Sequence, residues 1–89
     1  MVTSWKIRKI NRDIAKLEVK IEGFEAKLME IKEHKEKGDI TKAKFQKAKM
    51  NISTKIRALN AAIARKKKAR QTFEKKLKEK REAQEEEEL

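Results

Sequence analysis

From Ile7 onward the apolar residues fall at Ile7, Ile10, Ile14, Leu17, Ile21, Phe24, Leu28 and Ile31. The intervals alternate between three and four without a break, so residues 7, 14, 21 and 28 take heptad position a and residues 10, 17, 24 and 31 take d. Such a seam covers one narrow stripe of a helix and is unstable until a second helix buries it. The chain supplies a second seam at Phe45, Ile52, Ile56, Leu59, Ile63, Phe73 and Leu77, with a at 56, 63, 70 and 77 and d at 45, 52, 59, 66 and 73. This second seam is imperfect, because Lys49, Lys66 and Arg70 place cations on it. Ala48, Ala62 and Ala69 flank it at g, with Ala58 and Ala61 farther round.

The segment between the seams reads as a turn. Gly38 suits the left-handed position that closes a helix, and Thr41 suits an N-cap whose hydroxyl accepts a backbone N–H. Ile40 before the cap and Phe45 after it have the spacing of a hydrophobic staple, as do Val2 and Ile7 around Thr3. The expected elements are helix 1 over about 3–37, a turn at 38–41 and helix 2 over about 42–82. So short a turn makes the helices antiparallel neighbours. With its midpoint at Gly38, facing residues have numbers adding to about 76, which sets Ile10 against Lys66 and Ile7 against Arg70. Trp5, with Val2, is expected to meet Phe73 as a lid on the open end of the seam.

The expected fold class is therefore all-α: one domain over 1–82, a two-helix antiparallel coiled-coil hairpin with the longer helix second. Composition agrees. Of 89 residues, 37% are hydrophobic and 46% charged, too few apolar groups for a layered globule, which has roughly 45–50%. Residues 83–89 hold Glu85–Glu88 and no apolar period, and are expected to form a frayed or disordered acidic tail. That tail either solubilises the end or folds back on Lys75, Lys76, Lys78, Lys80 and Arg81. The fragment Gly38-Asp39-Ile40-Thr41 followed by Phe45 resembles the turn of the short SHOCT oligomerisation motif over residues 38–45, letters that ordinary capping chemistry also produces.

Charge gives the functional lead. Lys plus Arg is 26 against 15 for Asp plus Glu, a formal net charge of +11. Residues 40–70 hold 11 basic residues and no acid. A hairpin brings residues 1–20 beside 61–81, so Lys6, Arg8, Lys9, Arg12 and Lys16 adjoin Arg65, Lys66, Lys67, Lys68 and Arg70. Those ten are the candidate nucleic-acid-binding residues. A solubilising face mixes both signs, whereas a one-sign region attracts polyanions. Lys outnumbers Arg 20 to 6 and no recognition-helix, zinc-finger or aromatic-platform pattern occurs, so contacts to phosphate are expected rather than base readout. RNA is the expected partner, ribosomal RNA first, because long basic hairpins recur among small ribosomal proteins. The alternative is a homodimeric adaptor associating through the Ala-rich flank, and membrane attachment is a third, weaker reading.

Enzyme chemistry is not expected. No Gly-rich phosphate loop or nucleophile–base constellation occurs, and a two-helix hairpin has no cleft to tune Glu33 and Glu36. Cysteine is absent and His34 is the only histidine, so no metal or other cofactor is expected, and His34 reads as a neutral ring at the surface or half-buried. No secretory or transmembrane pattern is seen, which with the absence of cysteine leads to the expectation of a soluble, cytoplasmic protein.

Overall fold

The computed structural model describes residues 2–88, with side chains described over 4–84. It is all-helical. Helix α1 runs Val2–Glu36 and helix α2 runs Lys42–Glu88, and no strand occurs among the described residues. The periodicity of the first seam explains what α1 covers: all eight seam residues are buried or half-buried. Between Ile7 and Ile31 only Asp13 joins them, every other residue being exposed. On α2 the covered stripe runs through Phe45, Ala48, Ile52, Ser53, Ile56, Leu59, Ala62, Ile63, Lys66, Ala69, Arg70, Phe73 and Leu77. Lys49 departs from expectation and stands exposed while Ala48 is half-buried, since turning an alanine inward avoids desolvating an ammonium group.

Contacts between the helices run in opposite order along the chain. Lys35 lies over Phe45, Lys55 over Phe24, Lys66 against Asp13, Lys6 over Phe73 and Arg70 against Asn11. The two numbers of each pair add to between 79 and 81. Facing positions are thus displaced by about one helical turn from the expected register. The turn accounts for about half of the displacement: α1 ends at Glu36 and α2 starts at Lys42, which puts the midpoint at residue 39 rather than Gly38.

That turn is closed by the chemistry its residues suggest. Gly38 adopts a φ of 80°, and its N–H donates to the Lys35 carbonyl at 3.1 Å. The Asp39 N–H donates to the His34 carbonyl at 2.8 Å, completing a Schellman arrangement that satisfies two carbonyls at the end of α1. The side chains of the same two residues meet, with His34 Nδ1 3.1 Å from Asp39 Oδ2. Thr41 Oγ1 accepts the Lys44 N–H at 3.2 Å, the cap expected for α2. At the other terminus α1 begins at Val2, which makes Thr3 a helical residue, and the staple assigned to the Val2 and Thr3 side chains lies outside the described residues.

The core is thin. Only Ile14 and Phe45 at 5% and Ile63 at 7% exposure count as buried among the described residues, and no side chain is fully enclosed. A Cα radius of gyration of 20.8 Å, against about 12 Å for a compact globule of this length, makes the molecule a rod. Its longest dimension is 73 Å, which a 47-residue helix at about 1.5 Å per residue accounts for. Helix α2 continues to Glu88 rather than stopping near 82; neither Gly nor Pro intervenes to end it. The side chains of Glu85–Glu88, and with them the contact considered between the tail and the preceding lysines, lie outside the described residues.

Candidate nucleic-acid interface

Residues 1–17 and 61–73 contain ten cations and a single acid, Asp13. The ten are the candidate residues named from sequence, and the facing pairs set the two segments side by side. Eight of them, Lys6, Arg8, Lys9, Arg12, Lys16, Arg65, Lys67 and Lys68, are exposed. Lys66 and Arg70, on the seam itself, are half-buried and have partners on α1. Lys66 Nζ donates to Asp13 Oδ2 at 3.2 Å, and Arg70 Nη1 donates to Asn11 Oδ1 at 2.9 Å. Arg70 Nε also lies 3.9 Å from Glu74 Oε1. These two cations therefore tie the helices together, and their repulsion is relieved within the chain. Sequence reading missed the pairing, although the signal was present: Asp13 at g and Asn11 at e are the polar residues that flank the first seam at that level.

The eight exposed cations do not share a face. Successive helical residues differ by about 100°, so a run such as Arg65–Lys68 necessarily points around the helix. Two shallow grooves mark the two edges along which the helices meet. One, of about 590 Å³, is lined by Lys20, Gly23, Phe24, Lys27, Lys55, Ala58 and Leu59. The other, of about 320 Å³, is lined by Glu18, Ile21, Glu22, Glu25, Asn60, Ile63 and Lys67. Lys6, at g, continues the first edge toward the open end, with Lys9, Lys16 and Arg65 at the adjoining c positions. That edge is mostly basic, its one acid at g being Asp13, which Lys66 engages, whereas the second is interrupted by three glutamates. Arg12 and Lys68 occupy f positions on the outer surfaces of α1 and α2. The open end is thus ringed by cations, with the heavier share along one edge.

Each of the four aromatic rings has a lysine over it. Lys27 and Lys55 sit 5.5 and 5.4 Å from the Phe24 ring centre, Lys6 and Lys76 sit 5.2 and 6.0 Å from Phe73, and Lys35 sits 4.4 Å from Phe45. In each case the ammonium nitrogen itself lies within cation–π reach of the ring. Lys6 therefore takes the place over Phe73 that the sequence reading gave to Trp5. Trp5 is 56% exposed, with Lys9 Nζ 5.9 Å from its ring centre. Position 5 precedes the a residue Ile7 by two and so falls at f, on the outer surface. The part of that lid assigned to Val2 lies outside the described residues.

His34 is half-buried beside the turn, 3.1 Å from Asp39 and 3.9 Å from Glu30. No cluster of three or more potential metal ligands occurs among the described residues. Ala48, Ala62 and Ala69, the flank considered for a homodimer, are half-buried within the single chain, while Ala58 and Ala61 are exposed. No described helix is long and apolar enough to cross a membrane. No family model, curated protein or solved structure matches this chain.

Proposed function

We propose that the chain is a non-enzymatic antiparallel coiled-coil hairpin that binds RNA through phosphate contacts around its open end, with ribosomal RNA as its expected target in the cytoplasm. One observation carries the reading. Around the open end eight exposed cations outnumber the acids. Within residues 1–17 and 61–73 the single acid, Asp13, is engaged by Lys66, and Glu18 beside Lys67 and Glu74 beside Arg70 stand at the margin. Concentrating like charge in this way destabilises an isolated rod and is relieved by a polyanion. Lysine ammonium groups on a continuous helical surface suit diffuse contact with phosphates.

Purification at low salt without nuclease tests the reading. The protein should carry nucleic acid, identified by its absorbance and by sequencing of the bound strands. Titration with that RNA should show log K falling with log salt. Five to eight phosphate contacts correspond to a loss of about two to four decades between roughly 50 and 200 mM salt. Binding that is absent at low salt, or independent of salt, contradicts the reading.

A further inference from the structure

The ring of cations contains one exposed group that phosphate contact leaves unused. Trp5 is more than half exposed on the outer surface of α1, the largest side chain in the molecule facing water. It is not isolated. Residues 5, 8, 9, 12 and 16 recur at helical spacing, so Arg8, Lys9, Arg12 and Lys16 follow the indole along one side of α1 over about three turns. A shallow depression of about 470 Å³ lies between Trp5, Arg8, Asn11 and Arg12. Lys9 Nζ stands 5.9 Å from the indole, and residues 1–12 contain no acid.

We infer that Trp5 is a stacking platform for an unpaired nucleobase of single-stranded RNA, with Arg8 and Arg12 holding the flanking phosphates. The inference rests on the RNA-binding reading and adds to it a preference for unpaired over paired strands. An indole offers a flat π face that any base can stack on, while a duplex keeps its bases inside the stack and presents only its backbone. Guanidinium groups one and two turns along the same side of the helix suit the phosphates on either side of a splayed base, because arginine forks match phosphate oxygens. A membrane-surface helix would need a broad apolar face around the tryptophan. Here the neighbours at helical spacing are Arg8, Lys9 and Arg12, so charge complementarity favours the nucleic acid.

The chain has one tryptophan and no tyrosine, so its indole emission reports this position alone. Wild-type protein is titrated at low salt with a short oligoadenylate, with an RNA duplex, with inorganic polyphosphate matched in charge, and with vesicles containing anionic lipid. Oligoadenylate should quench the emission strongly, whereas polyphosphate and duplex should bind with little quenching. In gel-shift competition Trp5→Leu should weaken oligoadenylate binding by about 5- to 100-fold and leave polyphosphate binding unchanged. Trp5→Phe should restore most of the loss, and circular dichroism should show the same helicity for all three proteins. Equal quenching by polyphosphate, or unchanged oligoadenylate affinity in Trp5→Leu, overturns the platform while leaving phosphate binding in place. A blue shift with vesicles and none of these effects with oligoadenylate makes the residue a membrane anchor and overturns it. Failure of the wild type to bind any RNA overturns both the platform and the function on which it rests.

Discussion

Two glycines answer the same substitution in opposite directions. Gly38 holds a φ of 80°, where an L side chain crowds the following carbonyl, so Gly38→Ala should lower stability by about 1–2 kcal/mol. Gly23 lies in the middle of α1, and a Cβ there meets nothing within 4 Å. Gly23→Ala should therefore raise stability by about 0.5–1 kcal/mol through the lost freedom of the unfolded chain. Urea denaturation of the two variants gives both signs in one experiment. Asp13 carries a different consequence, since it is the acid that engages Lys66 at 3.2 Å. With both side chains partly exposed, Asp13→Asn should cost only about 0.2–1 kcal/mol. The same change frees Lys66 for phosphate, so the slope of log K against log salt should steepen by about one unit.

At the scale of the helices, the few enclosed side chains hold the two elements together. Ile14 and Ile63 are buried, one on each helix, so Ile14→Ala or Ile63→Ala should each cost about 2–4 kcal/mol, read as a fall in the thermal midpoint. Leu28→Ala, at a half-buried position, should cost less. Thr41→Ala removes the acceptor for the Lys44 N–H and should cost about 1 kcal/mol. The first seam was fully legible in the sequence because every one of its heptad positions is apolar. The turn was legible because Gly38 and Thr41 each have one favoured role there. Register was not, because a cap signal locates the end of a helix only to within a residue or two, and each residue of error moves the facing pair. The place of Trp5 has a different origin: residue 5 falls at f, so its side chain lies on the outer surface even though Phe73 is near in the fold. The ten candidate cations could be named from the sequence, but not that Lys66 and Arg70 are engaged by Asp13 and Asn11, since that pairing depends on the register.

The whole molecule is a rod whose charge is distributed unevenly along its length. Repulsion within the cation-rich end should make stability depend on ionic strength. The thermal midpoint should rise with added salt as the like charges are screened, the reverse of what a fold held by surface ion pairs would show. A bound polyanion should have the same effect at low salt, adding about 2.7 kcal/mol when its free concentration is 100 times Kd. The central claim is positional, and equal charge changes at the two ends test it most directly. Three triple variants to glutamine are compared: Arg8, Arg12 and Lys16 on α1, Arg65, Lys67 and Lys68 on α2, and Lys32, Lys37 and Lys42 near the turn, all exposed. The measurement is the slope of log K against log salt for RNA binding. Either open-end variant should flatten it by about two to three units, and the turn-end variant by less than about one. Equal flattening in all three contradicts a localised interface and leaves only attraction by net charge.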